Sequence, residues 1–143
     1  DKLNHAGNYT YLILGDGELD EGQVWESFLF AAHHKLSNLI TAVDVNGKQL
    51  DGTTDKVCGL GDIGAKFKAF GYRVIEVENG NDTDKIYEAI LEAQKEKEIP
   101  SVLLLHTIKG AGIRKYEEMA NCHSIPVSKE ELPDFYKELD GQE

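Results

Sequence analysis

Tyr9-Thr10-Tyr11-Leu12-Ile13-Leu14-Gly15-Asp16-Gly17 reads as a buried strand that stops at a turn. Aromatic and branched side chains fill its first six positions, and glycines flank the aspartate that follows. Downstream, Val24, Trp25, Phe28, Leu29, Ala32 and Leu36 recur at helical spacing, with Glu26, His33 and Lys35 on the other faces. Glu18, Asp20 and Glu21 precede that helix, where its positive end favours acidic groups. A second apolar run, residues 39–44, ends at Asn46-Gly47. Strand, helix and strand in that order make a βαβ unit, whose strands lie parallel.

The unit repeats along the chain. Residues 62–70 predict a helix closed by Gly71, where a left-handed cap is usual. Residues 73–77 predict a third strand. The turn Asn79-Gly80-Asn81-Asp82-Thr83 then caps a helix running to about Lys97, with Ile86, Ile90 and Ala93 on its apolar face. Pro100 stops it, residues 101–106 form a fourth strand, and Lys109-Gly110-Ala111-Gly112 is a glycine-rich loop. The polar remainder, 114–143, predicts an irregular segment with a short helix within 128–140 that Pro133 interrupts early. The expected fold is α/β: a doubly wound, mainly parallel sheet with helices on both faces. One domain spans 1–143, with its βα core at 1–113.

Composition narrows the function classes. A chain of 143 residues with 41% hydrophobic and 29% charged residues can bury one core and is not disordered. A net charge of -11 points away from nucleic acid, since neutralising phosphates needs a basic surface. Apolar runs such as 28–32 and 102–105 are too short to span a bilayer. Cys58 and Cys122 lie far apart, which fits neither a disulfide framework nor a zinc site, and a reduced cytoplasmic setting is expected. The chain begins at Asp1 and its only methionine is Met119, so a processed, cut or engineered start without a signal peptide is expected.

Ligands of open parallel sheets bind beyond the carboxyl ends of the strands. Those ends read Gly15-Asp16-Gly17, Asn46-Gly47, Asn79-Gly80 and Lys109-Gly110. Each offers a glycine turn with an oxygen ligand or a cation, a set suited to a phosphate-bearing cofactor held through a hard metal ion. Taken singly, Asp-Gly and Asn-Gly are common turn pairs and Lys109 is an ordinary solvated lysine. There is no Gly-x-Gly-x-x-Gly dinucleotide fingerprint and no Walker-type lysine loop. The residues alone therefore point to phosphate plus metal, with magnesium the best fit, and name no cofactor.

A resemblance goes further. Gly15-Asp16-Gly17-Glu18-Leu19-Asp20-Glu21-Gly22-Gln23-Val24-Trp25-Glu26 resembles the transketolase form of the thiamine-diphosphate motif, which opens with Gly-Asp-Gly and closes with an asparagine, here Asn46. Ala31-Ala32-His33-His34-Lys35-Leu36, Asn38-Leu39-Ile40, Asp44-Val45-Asn46-Gly47-Lys48-Gln49-Leu50-Asp51-Gly52, Phe70-Gly71-Tyr72 and Thr107-Ile108-Lys109-Gly110-Ala111-Gly112-Ile113 are similar to that family as well. The resemblance implies transfer of a two-carbon ketol unit from a ketose phosphate to an aldose phosphate, using thiamine diphosphate and Mg2+ or Ca2+. It implies metal ligands at Asp16, Asn46 and the main-chain carbonyl of Lys48, whose side chain would be free to vary. Gly15 and Gly17 would let the backbone meet the diphosphate, Lys109 would lie on the cofactor side, and His123 would reach cofactor and sugar as the catalytic histidine. Glu21 and Glu26 would lie at a dimer interface; without the resemblance they read as a solvated first helical turn.

The chain departs from the family in several ways. The family's cofactor domain has a strand before Tyr9, a second glycine motif and substrate-facing histidines, none of which precedes Tyr9 here, and a pyrimidine-binding domain that supplies an activating glutamate. Where the family often has Trp-His-Gly, this chain reads Cys122-His123-Ser124. The expectation is thus an incomplete cofactor domain, inactive alone, partnered as a homodimer or by a complementary subunit carrying the pyrimidine-binding domain. An uncovered sheet edge with an apolar face is expected too. The alternatives are a non-catalytic binding or self-association module, and another thiamine-dependent enzyme such as deoxyxylulose phosphate synthase, which the residues after the Gly-Asp-Gly turn disfavour.

Overall fold

The computed structural model describes residue 4 and residues 6–141. Among them, β1 (Thr10–Gly15), β2 (Leu39–Val45), β5 (Arg73–Val77) and β6 (Ser101–His106) form a four-stranded sheet in the order β1-β2-β6-β5. All three pairings are parallel, as the βαβ reading expects. Between β2 and β5 lie a small antiparallel hairpin, β3 (Lys48–Gln49) with β4 (Gly52–Thr53), and a short helix, α2 (Thr54–Cys58). Neither was read from the sequence, because two-residue strands carry no periodicity to detect.

Helices cover both faces. α1 (Gly22–His33) and α3 (Ile63–Ala69) bring Phe28, Ala31 and Phe67 against Leu14, Val43, Val102 and Leu104 on one side. Trp25, Phe28, Phe67 and Tyr72 form a chain of ring contacts there, with Phe28 and Phe67 centroids 4.8 Å apart. Trp25 also donates its indole N–H to Leu19 O at 2.6 Å, which ties α1 to the single 3-10 turn, Gly17–Asp20, that leads into it. On the opposite side α4 (Thr83–Ala93) packs Ala89 and Ala93 against Ile40, Val77 and Leu103. Asp82 caps α4 by accepting from Asp84 N and Lys85 N.

Several boundaries differ from the reading. β1 is shifted by one residue from 9–14. Tyr9 lies outside it, packs on the α4-side cluster, and donates its hydroxyl to Gln94 O at 2.8 Å. α1 ends at His33 in a Schellman motif: Lys35 takes the left-handed conformation, its N–H meets Ala32 O, and Leu36 N meets Ala31 O. Leu36 still packs on the core, which is why it matched the helical period. α4 stops at Ala93 and not near Lys97, because the Glu96 carboxylate accepts from Lys97 N and Glu98 N and holds a turn instead. Gly71 does close the α3 region, at φ 90°.

The carboxy-terminal part holds α5 (Arg114–Glu117) and α6 (Leu132–Asp140). Pro133 opens α6 rather than interrupting it: in the first turn a missing N–H leaves no helical bond unmade. Tyr116 and Phe135 rings meet at 5.4 Å, and Lys115 pairs with Glu131.

β1 is one of the two outer strands of the sheet, with β5 the other, and its α4-side face lacks a helix among the described residues. Tyr11 is 52% exposed and Ile13 77% exposed, as the expected uncovered edge requires.

Two outcomes test this packing. Phe67→Ala removes a fully buried ring that links both helices to the sheet and is expected to lower the unfolding free energy by about 3–5 kcal/mol in urea titration. Glu131 is held down to about 2 by the hydrogen bond from Lys115, then by Ser128. A depressed carboxylate adds stability above its ordinary value of 4.5 and loses it as pH falls toward 2. Carboxyl NMR titration is expected to give that low midpoint, and Lys115→Met to return it toward 4.5.

Candidate functional site

The site is built by register. β1 and β2 run parallel with Gly15 beside Asp44, so the residues that follow each strand emerge side by side. Asp16 N donates to Asp44 O at 3.1 Å and continues the ladder by one step. The Asp16 side chain then turns inward and is 2% exposed. Its Oδ1 accepts from Gly17 N at 2.8 Å, and its Oδ2 accepts from Gly47 N at 2.6 Å. One carboxylate thus ties the turn after β1 to the turn after β2. Gly47 presents that N–H from φ 72°, a conformation that glycine adopts without a Cβ clash.

Burial raises the Asp16 carboxyl above its ordinary value, since removing water disfavours the charged form. The Gly47 and Gly17 N–H groups oppose the shift, while the negative charge of Asp44 adds to it. Among the described residues no basic side chain forms a salt bridge with Asp16; its partners are main-chain N–H groups. A buried carboxylate of this kind, beside a second carboxylate and an amide oxygen, suits a hard cation.

Asn46 is oriented from both ends. Its Nδ2 donates to Asp44 Oδ2 at 2.9 Å, and its Oδ1 accepts from Lys48 N at 2.9 Å. The other oxygen of Asp44 accepts from the Thr107 hydroxyl, which brings the end of β6 into the same network. Lys109, two residues on, reaches across with its ammonium 3.1 Å from His123 Nδ1. Lysine can only donate, so a hydrogen bond here requires the tautomer in which Nδ1 accepts and Nε2 carries the ring proton.

Gly15, Asp16, Gly17, Asn46, Lys48, Lys109 and His123 line one cavity of about 440 Å³, joined by Glu18, Asp44, Gln49 and Leu50. The structure therefore brings together the metal- and cofactor-site residues that the resemblance implies, whereas Asn79-Gly80, the turn after β5, does not line this cavity. Glu21 and Glu26 do not line it; both are exposed, Glu21 just before α1 and Glu26 on it. Among the described residues no group of three or more His, Cys, Asp or Glu side chains forms a metal cage, so a cation here would draw on amide and main-chain oxygens as well.

Three residues were missed or misjudged. Asp44 and Thr107 read as an ordinary strand end and loop start, and only the pairing of β2 with β6 makes them partners. The Lys48 side chain is not free: Nζ donates to Glu117 O at 3.0 Å and Met119 O at 2.8 Å. No local signal announces such a contact, because its acceptors are main-chain atoms about seventy residues away.

Fold and site define a parallel α/β domain whose ligand cavity is built from the turns after its strands. The family model described as "Transketolase, thiamine diphosphate binding domain" matches residues 1–141. The chain belongs to the transketolase family, as part of its thiamine-diphosphate-binding domain. It is 38% identical over 129 residues to the 6-deoxy-6-sulfo-D-fructose transketolase subunit SqwG of Clostridium sp. (strain MSTE9), covering 90% of this chain and 46% of that one. It is 31% identical to an apulose-4-phosphate transketolase subunit of Phocaeicola vulgatus, covering 96% of this chain and 49% of that one. Among solved structures, transketolase from Pichia stipitis in complex with sedoheptulose-7-phosphate superimposes with a TM-score of 0.81 at 32% identity, over 94% of this chain and 19% of that one. The chain thus spans about half the length of these subunits and about a fifth of that transketolase. Among the described residues no helix is long and apolar enough to cross a membrane.

Thr107→Val keeps the side-chain shape and removes the hydroxyl that Asp44 accepts. It is expected to destabilise the fold by about 1–3 kcal/mol in thermal unfolding, and to shift the Asn46 side-chain amide resonances, which report Asp44.

Proposed function

We propose that this chain is the diphosphate- and metal-holding part of a transketolase, and that it is inactive without the remainder of the enzyme. The observation that supports this reading best is the single cavity that gathers Asp16, Asn46, Lys48, Lys109 and His123 from four separate segments. Asp16 would hold Mg2+ or Ca2+ through its carboxylate, Asn46 through Oδ1, and Lys48 through its carbonyl oxygen. The raised Asp16 carboxyl fits that role: a divalent cation would replace the stabilisation that burial takes from the charged form. Gly15 and Gly17 would bring main-chain atoms beside a diphosphate, with Lys109 supplying positive charge. His123 would face the reacting sugar, its Nε2 proton free to donate while Lys109 occupies Nδ1. Thiamine diphosphate, when bound, supplies the carrier of the two-carbon unit.

The substrates would be ketose and aldose phosphates. Each relative and neighbour named above carries in its name a sugar with an anionic group, phosphate or sulfonate. The partner would be a second subunit or a second copy carrying the pyrimidine-binding domain. The exposed Glu21 and Glu26 would meet it at the start of α1. We place the chain in the cytoplasm, in the pentose phosphate pathway, as one cofactor domain across residues 1–143. The second reading, a binding or self-association module without turnover, is favoured by one observation, the edge strand β1 with Ile13 77% exposed.

Calorimetric titration of thiamine diphosphate with Mg2+ and with chelator separates the two. Binding is expected to need the metal and to weaken at least tenfold in Asp16→Ala, given charge-assisted contacts of about 1.5–3 kcal/mol. No binding under any condition, with concentration-dependent association in sedimentation, would put the module reading first. Transfer activity is expected only after a carboxy-terminal transketolase subunit is added.

A further inference from the structure

Lys48 stands where the two halves of the cavity join. Its main-chain N–H orients Asn46 from one side, at 2.9 Å from Oδ1. Its half-buried side chain leaves the hairpin and donates to the carbonyls of Glu117 and Met119 at 3.0 and 2.8 Å. A second tie lies close by, where Asn121 Nδ2 donates to Leu50 O at 2.8 Å. Asn121 Oδ1 then accepts from His123 N at 3.2 Å, and the His123 ring meets Lys109. Residues 118–127 contain neither helix nor strand. They form a strap that brings His123 to the lining of the cavity, and their position depends on these side-chain bonds rather than on a backbone ladder.

We propose that Lys48 is a positioning residue, whose ammonium couples the turn at 46–48 to the strap that carries His123. The coupling rests on the proposed function, in which a cation grips that same turn. A ligand that restricts the turn restricts the origin of the Lys48 side chain, and through the carbonyls of Glu117, at the end of α5, and Met119 it restricts the start of the strap. By linkage, a docked strap favours the turn conformation that binds.

Amide exchange and chemical shifts of the full 15N-labelled chain, with Mg2+ alone as the probe, test this in the parent, Lys48→Met and Lys48→Arg. Methionine keeps the apolar stem and loses the donors; arginine keeps donors for both carbonyls. In Lys48→Met, exchange at residues 119–123 is expected to rise at least about tenfold, while β2 and β6 stay as protected as in the parent. Lys48→Arg is expected to restore protection. Saturating Mg2+ is expected to move the Gly47 resonance in all three chains, and the His123 resonance only in the parent and Lys48→Arg. Equal exchange in Lys48→Met and parent, or an undiminished His123 response in Lys48→Met, overturns the role of Lys48 and leaves the cation site standing. A parent whose Gly47 ignores Mg2+ overturns the cation site, and with it the coupling, even where the strap opens; Lys48 is then a residue of the fold alone.

Discussion

Parallel pairing of β1 with β2 in a single register is the constraint on which the rest of the site depends. With Gly15 beside Asp44, Asp16 leaves β1 level with the last residue of β2, Val45, and can reach Gly47 N just beyond it. A slip of one residue would invert every side chain along β1 and turn Leu14 from the core to the opposite face. The hydrophobic burial that sets the register therefore also aims the carboxylate. Phe28, Phe67 and Tyr72, packed beneath Val43 and Val102, hold the sheet in the arrangement that the cavity needs.

The site places charge where water has been removed. Asp16 is buried against its own preference, and Asp44 beside it adds a second negative group. Main-chain N–H groups, the Asn46 amide and the Thr107 hydroxyl satisfy part of that demand. The bonds from Gly47 N to Asp16 and from the Thr107 hydroxyl to Asp44 tie three segments together, and those from Asn46 brace the turn after β2 from within. Lys109 and His123, in contact with each other, add basic groups to the same lining.

Much of the site was legible from residue order alone, because turns after parallel strands converge on one edge of the sheet. The convergence of Asp16, Asn46 and Lys109 on one cavity was legible in this way, and the family resemblance pointed to His123 and Lys48, which line the same cavity. Thr107 and Asp44 were not found, since the hydroxyl-to-carboxylate contact joins β6 to β2, strands far apart in sequence. The Lys48 side chain was misread for the same reason. Pro133 misled as well: a proline inside an apolar pattern breaks a helix, whereas a proline in the first turn begins one, and the helix start was not visible in the polar residues before it.

The sequence by itself determined the four strands of the main sheet and their alternation with α1, α3 and α4, for periodicity and glycine turns are local properties that neighbouring residues impose on one another. It also indicated that the turns after the strands would gather at one edge of the sheet, and three of the four turns it named, those at Asp16, Asn46 and Lys109, line one cavity. Tertiary structure alone decided the sheet order β1-β2-β6-β5, the burial of Asp16 and the hold of Lys48 on the strap. Each of these is a contact between segments distant along the chain. Such contacts form when the whole core closes, because only then is water excluded and only then do the carbonyls of Glu117 and Met119 lie within reach of Lys48.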